Sequence, residues 1–406
     1  MAVGKHANFL KPTLLATAAV LVSSGIRNTT GLLVNPLVQS TALSLSAVSM
    51  AMAVGQLAFG LFQPLSGLLT VRYKTFTVLV LGVVSLVAGL LGVQFAGSLF
   101  AFMLCFGLLL PAGSAASSFP VLMGHISHSV PDARRSLSGG IINAGVSAGQ
   151  FVLAPLIQIF LNFYGLYGTC VFLAGVSALS LVPAWFLCRT KEEPVQTAAR
   201  EENRALAAAP GLKEEIAQAF RQPAYVFLHC GFFACGFHVA FLATHLPGEI
   251  SFFGFSGSFS ALCFSALGLC NIAGCILAGI GGGIFRPKNI LAGIYCVRLL
   301  LIGAYIFLPK TAPVFIVFAA IMGLTYGSTV PPTAAITSRL VSPRNLSTLF
   351  ALIFLTHQAG SFFGAWLGGF VMQNAGSFMP VWFLDAGLSL FAAVISFKIY
   401  EYAPKH

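Results

Sequence analysis

Residues 189–223 read RTKEEPVQTAAREENRALAAAPGLKEEIAQAFRQP, the longest polar stretch in a chain of 406 residues. On both sides of it the sequence is overwhelmingly apolar. Only 8% of all residues are charged and 57% are hydrophobic, where a soluble domain carries about a quarter charged residues. Mean hydropathy is +0.91. A membrane-spanning helix needs about 20 mainly apolar residues, and such stretches follow one another almost end to end. This composition excludes a disordered chain, a nucleic-acid-binding domain and a water-soluble enzyme. It specifies an all-α membrane protein.

Working outward from the polar stretch, apolar spans fall at 12–36, 44–70, 75–95, 98–123, 137–162 and 166–188 before it. After it they fall at 224–247, 256–284, 289–309, 312–338, 347–372 and 378–400. The spacing predicts 12 transmembrane helices in two six-helix halves, 1–188 and 224–406, with 189–223 as the linker. Residues 211–220 place apolar side chains at helical spacing and are expected to lie along the membrane surface. The formal charge of +11 follows the same plan. Of the 21 Lys and Arg residues, all but three fall on one side, where both termini lie. Lys310 is on the other side, and Arg27 and Arg298 are inside spans. The positive-inside rule therefore predicts cytoplasmic N- and C-termini. The first span lacks the layout of a cleavable signal, and the nine cysteines, nearly all within spans, are expected as free thiols. Asn28-Thr29-Thr30 has the form of a glycosylation sequon but falls inside the first span. Short outward loops point to a bacterial inner membrane.

The two halves echo each other. Ala148-Gly149-Gln150-Phe151 in span 5 recurs as Ala359-Gly360-Ser361-Phe362 in span 11, and the same displacement carries Gly165 onto Gly376. One residue out of that register, the loop beginning Pro131-Asp132-Ala133-Arg134 matches the one beginning Pro343-Arg344-Asn345-Leu346. Parallel repeats of six helices are a build of secondary transporters whose substrate site lies between the halves.

The loop Gly67-Leu68-Leu69-Thr70-Val71-Arg72-Tyr73-Lys74 is similar to the Gly-x-Leu-x-Asp-Arg-x-Gly motif of the major facilitator superfamily, with Val71 at the Asp position and Lys74 at the final Gly. Its counterpart, Gly281-Gly282-Gly283-Ile284-Phe285-Arg286, keeps Gly and Arg. Within that superfamily the chain most resembles the monocarboxylate porter and oxalate/formate antiporter branch. Gly25-Ile26-Arg27-Asn28-Thr29-Thr30-Gly31-Leu32 is similar to the branch's Gly-x-x-Lys-Ser-x-Gly-x-Phe pattern, with Arg27 near the basic position. Span 5, from Arg134-Arg135-Ser136-Leu137 to Gly149-Gln150-Phe151, also looks like bacterial members. In span 8 Asn271 fits the branch pattern, but Cys275 stands where the branch has Arg. The resemblance implies that span 1 lines the central cavity, that spans 9 and 12 are peripheral, and that Arg27 binds an anion. A proton-transfer role does not carry over, because Arg keeps its proton.

Charge inside a bilayer costs several kcal/mol and marks function by default. Arg27 lies about 24 Å along the helix from Lys11, and Arg298 about 15 Å from Lys288. Arg298 and Asp385 fall at similar depth and are expected to form an ion pair, or else to take part in proton relay or substrate contact. His238 and His245 share a face of span 7, and His357 adjoins Gln358 in span 11. Histidine titrates near neutrality, so His238 and His357 are candidate protonation or substrate contacts. Gln56, Asn143, Gln150, Asn271 and Tyr326, the last ahead of the helix-bending Pro331-Pro332, complete the polar positions expected to face a ligand. Spans expected to line the cavity hold no carboxylate, with Glu249 placed just beyond the outer end of span 7.

The expected function is secondary active transport of a small carboxylate-bearing organic anion by alternating access, with protons as a candidate coupling ion. The expected partners are that anion and the lipid bilayer, without nucleic acid, and the expected state is a monomer. No cofactor and no resident metal are expected. A transition-metal or metal-chelate importer using Cys235, His238, Cys263 and Cys270 is one alternative, and a non-transporting membrane sensor is another. Enzymatic chemistry is not expected, because the sequence holds no Ser/His/Asp set, HExxH helix or phosphate-binding glycine loop.

Overall fold

A computed structural model describes residues 9–95, 98–126, 129–189, 212–341 and 346–400. Most of the predicted linker and the loop 342–345 lie outside the described residues. Among the described residues every regular element is helical, and ten helices are long and apolar enough to cross a membrane. In chain order the first elements are α1 (Leu10–Thr29), α2 (Val34–Ser40), α3 (Leu45–Arg72), α4 (Thr75–Gly92), α5 (Leu99–Phe102), α6 (Leu110–Ala116), α7 (Phe119–Ile126), α8 (Asp132–Leu179) and α9 (Leu181–Cys188). Then follow α10 (Leu212–Arg221), α11 (Pro223–Phe252), α12 (Gly257–Gly281), α13 (Pro287–Phe307), α14 (Ala312–Tyr326), α15 (Val330–Leu340), α16 (Leu346–Ala375) and α17 (Met379–Phe397).

Local chemistry sets the starts of these helices. Ser44, Ser98 and Ser256 cap α3, α5 and α12 by accepting from the N–H of Ala47, Ala101 and Phe259. Proline opens α11 and α13 at Pro223 and Pro287, where its missing N–H costs nothing. Three predicted spans are interrupted. The predicted span 12–36 passes through a 3-10 turn over Thr30–Leu33 between α1 and α2. The predicted span 98–123 contains a π-helical turn over Met103–Leu109 and a break at Ser117 and Ser118. The predicted span 312–338 divides at residues 327–329 into α14 and α15.

Predicted spans 5 and 6 run together as α8, with the chain reversing at Gly165, whose φ is 63°. Gly376, its counterpart in the second half, has φ 65° between α16 and α17. Only glycine takes this left-handed conformation without strain. The repeated pair therefore marks the same turn in each half.

The same register governs helix packing. A Cβ on Gly149 would stand 2.1 Å from the Leu21 carbonyl of α1, and one on Gly360 would stand 2.0 Å from the Phe233 carbonyl of α11. Small residues let these backbones touch. Gly360→Ala is expected to cost about 1–3 kcal/mol by forcing α11 and α16 apart, while Gly140→Ala, with open space around it, should be neutral. Thermal unfolding in detergent distinguishes the two.

Between the halves, α3 packs on α16 and α8 on α12. These contacts concentrate in the part of the bundle far from the chain termini. There a Cβ on Gly31, Gly257 or Gly369 would strike Ala243, Gln158 or Ser49 of the opposite half. Gln373 Oε1 accepts from Ser46 N–H at 2.9 Å, closing the same end. Gly60 meets Gln358 midway. Toward the termini, Gly67, Gly140 and Gly279 have nothing within 4 Å of a Cβ.

Candidate functional site

Arg27 is half-buried near the C-terminal end of α1. Its Nη2 donates to Gln56 Oε1 at 2.7 Å and its Nη1 to Asn28 Oδ1 at 3.3 Å. The guanidinium lies 3.8 Å from the Phe59 ring centroid, a cation–π contact. Every one of these partners is neutral. A pocket opens beside Arg27 between α1, α3 and the fourth span, lined by Thr30, Met52, Gln56, Phe106, Leu110 and Pro111. Phe106 enters it from the π-helical turn, a distortion that recurs at functional sites. Tyr326, from the other half, stands near enough to interact electrostatically with Arg27.

Asn271 links three elements. Its Nδ2 donates to Ser147 Oγ across the halves at 2.8 Å, and its Oδ1 accepts from Gly327 N–H at 2.8 Å in the break between α14 and α15. Tyr326, at the end of α14, donates its OH to the Val239 carbonyl at 3.1 Å. Gln150 donates weakly to the Phe264 carbonyl at 3.4 Å, leaving its Oε1 unpartnered. Gln358 is buried against Gly60 with its own Oε1 unpartnered. His357 is half-buried, stacked on Phe354, with Nδ1 3.4 Å from Ser361 Oγ. Asn143 is half-buried on α8.

A second polar cluster lies within the C-terminal half, and here two expectations are corrected. Asp385 and Arg298 are both fully buried, but they do not form the expected hydrogen-bonded ion pair. Asp385 Oδ2 instead accepts from His238 Nδ1–H at 2.6 Å. Arg298 Nη2 donates to the carbonyls of Thr325 and Tyr326, and its Nε lies 3.4 Å from Thr325 Oγ1. The reason is the break in predicted span 10. Where α14 stops, its last carbonyls lack helical partners and carry partial negative charge, so they draw the guanidinium and leave Asp385 to His238. Arg298 and Asp385 still interact at longer range.

The second correction concerns Glu249. The helix does not end at Pro247 but continues to Phe252, placing Glu249 inside α11 at 3% exposure. A proline inside an apolar span is tolerated when neighbouring helices satisfy the freed groups. Trp382 Nε1–H donates to both Glu249 oxygens, at 3.0 and 2.9 Å. Sequence reasoning missed this carboxylate because the apolar span was ended at residue 247, two residues short of it. Lys310, in the loop between α13 and α14, sits 3.9 Å from the Tyr305 ring centroid and feels the charge of Glu249.

The soft-ligand set is not gathered into a metal site. Cys235 and His238 are on α11 while Cys263 and Cys270 are on α12, and no three His, Cys, Asp or Glu side chains converge among the described residues. All nine cysteines are free thiols.

Comparison with known proteins agrees with this architecture. The model of the Major Facilitator Superfamily matches residues 15–313 and 294–406. Monocarboxylate transporter 13 of Rattus norvegicus is 24% identical over 349 residues, covering 85% of this chain and 76% of the relative. Monocarboxylate transporter 12 of Xenopus laevis is 22% identical over 338 residues, covering 78% and 72%. Among solved structures, that of a D-xylose–proton symporter superposes with a TM-score of 0.74 at 15% identity, covering 96% of this chain and 97% of the other. A bacterial homologue of the human lysosomal transporter Spinster, inward-facing and occupied, gives 0.71 at 17% identity over 98% of each chain.

Proposed function

The chain belongs to the Major Facilitator Superfamily, and from that premise we propose that it carries a small, carboxylate-bearing organic anion together with protons by alternating access. It is a membrane transporter, not an enzyme. The observation that carries the anion reading is Arg27. It presents a permanent positive charge to a pocket lined by α1, α3 and the fourth span, and its hydrogen-bond acceptors, Gln56 and Asn28, are neutral. Among the described residues, the two acidic groups buried in the C-terminal half are engaged elsewhere, Asp385 with His238 and Glu249 with Trp382. A planar guanidinium suits the two oxygens of a carboxylate, and Phe59, Phe106 and Met52 suit an apolar body behind it. The relatives named monocarboxylate transporters point the same way.

On this reading the chain makes twelve passes in halves 1–188 and 224–406. The stretch Leu137–Cys188 spans 52 residues, about 78 Å at 1.5 Å per residue, which is two crossings of a core about 30 Å thick. The element from Leu10 to Ser40 supplies another. With the termini in the cytoplasm, the contacts at Gly31, Gly257 and Gly369 seal the outer side, and the site opens inward. Asn271, bonded across the halves to Ser147, and Gln150 and Gln358 at the same interface are contacts that change as the halves rock. Asn143, His357 and Tyr326 complete the ligand-facing set. We place the protein as a monomer in a bacterial inner membrane, a setting supported by the basic side and by short opposite loops.

The test is a thermal-shift screen of the purified full-length protein against monocarboxylates, neutral sugars, amines and transition-metal ions. A ligand at 100 times its Kd adds about 2.7 kcal/mol of stability. Carboxylates are expected to stabilise the protein while sugars and amines leave it unchanged. Stabilisation by metal ions or amines alone would sink the anion reading.

A further inference from the structure

We propose that the His238–Asp385 pair is the proton-binding site of the transporter, and that Arg298 and the break between α14 and α15 link its protonation to the Arg27 pocket. The proposal rests on the reading of proton-coupled anion transport given above.

The cluster is unusual in what it leaves unmade. Buried polar groups in folded proteins are nearly always hydrogen-bonded. Here three neighbouring buried atoms have no partner: His238 Nε2, Asp385 Oδ1 and Arg298 Nη1. The other buried carboxylate, Glu249, shows the contrast, since both its oxygens accept from Trp382. A pair serving only as glue between α11 and α17 needs no spare acceptor. A pair that takes up a proton needs one, and His238 Nε2 supplies it.

Arg298 on α13 acts on Asp385 directly, and around Arg298 and Cys235 of α11 stand Tyr295 on α13, Tyr326 on α14 and His357 on α16. Among them Arg298 is the fixed charge. With His238 neutral, the Asp385 carboxylate is balanced by Arg298. A proton arriving from water at His238 Nε2 makes an imidazolium that balances the same carboxylate, and Arg298 becomes the surplus charge. Arg298 already grips the carbonyls of Thr325 and Tyr326. Protonation therefore acts on the one hinge that carries Tyr326, which faces Arg27 across the halves. No other bond is made or broken, and the proton leaves from the same nitrogen.

The charge balance also favours this site. Apart from the Glu249 region, the empty carrier holds Arg27 as its surplus charge. One bound carboxylate cancels it and one bound proton restores it, so empty and loaded forms cross the membrane at similar electrostatic cost.

The experiment combines two measurements on the full chain. Infrared difference spectra between acidic and alkaline pH, with carbon-13-labelled Asp and without substrate, report proton binding directly. A pH-dependent carboxylate or imidazole band is expected in wild type and lost in Asp385→Asn and His238→Gln. In proteoliposomes with labelled pyruvate as probe, both variants should lose uptake driven by a pH gradient. Gradient-driven uptake at wild-type level in either variant would overturn the proposal, as would a wild-type spectrum without pH-dependent Asp or His bands. Bands that persist in both variants belong to Asp132 and the other histidines, and only those lost in the variants report on the pair. If wild type moves no carboxylate in any mode, the anion reading fails separately, while the spectra still report on the proton site.

Discussion

Arg27→Gln is expected to abolish carboxylate uptake without lowering the stability of the folded protein. Each hydrogen bond to a charged group contributes about 1.5–3 kcal/mol, so losing a two-pronged grip on a carboxylate weakens binding by roughly two to four powers of ten. Stability should move the other way or stay put. The hydrogen-bond acceptors of Arg27, Gln56 and Asn28, are neutral amides that a glutamine can still engage. The substitution also removes a charge that costs about 2.5–3.5 kcal/mol at mid-membrane on insertion scales. Arg27→Lys keeps the charge but loses the planar fork, and should fall between the two in uptake. Labelled-pyruvate uptake in proteoliposomes and melting in detergent measure both quantities. If Arg27→Gln still binds carboxylates, or melts well below wild type, then Arg27 is a structural residue and the anion site lies elsewhere.

How far the sequence could be read depends on which physical signal each feature leaves. Spans are visible because a run of about twenty apolar residues suits little besides a bilayer core, and the polar linker stands out for the converse reason. The turn at Gly165 and Gly376 was visible as a repeat, although nothing in one glycine alone told of its positive φ. Helix interruptions were partly visible. Pro331-Pro332 announced a break near Tyr326, whereas the span bounded at residue 247 runs on through Pro247 to Phe252. Proline marks a lost hydrogen bond in either case, and only the surrounding helices decide whether the chain continues. Partner choice among buried charges was the least legible feature. Depth along each helix allowed Arg298 and Asp385 to meet, but the carbonyls freed by the break in predicted span 10 leave no mark in the side-chain sequence. Those carbonyls took Arg298, and Asp385 went to His238.

Arg298→Met should behave in the opposite way to Arg27→Gln and destabilise the protein severely. The Arg298 side chain is 1% exposed and holds two carbonyls at the end of α14. Stranding a buried acceptor costs about 1–3 kcal/mol, and removing one member of a buried charge network typically costs about 3–5 kcal/mol. The loss should appear as poor recovery of monodisperse protein and a melting temperature far below wild type. Arg298→Lys restores the charge but cannot span two carbonyls with a fixed fork, so it should recover only part of the deficit. Adding Asp385→Asn to Arg298→Met tests where the carboxylate finds its balance. If Arg298 compensates Asp385 at a distance, the double variant should be more stable than additivity predicts by about 1–3 kcal/mol. Simple additivity would mean that His238 alone neutralises Asp385, with the proton resident on the pair, and Arg298 would then serve the broken helix only.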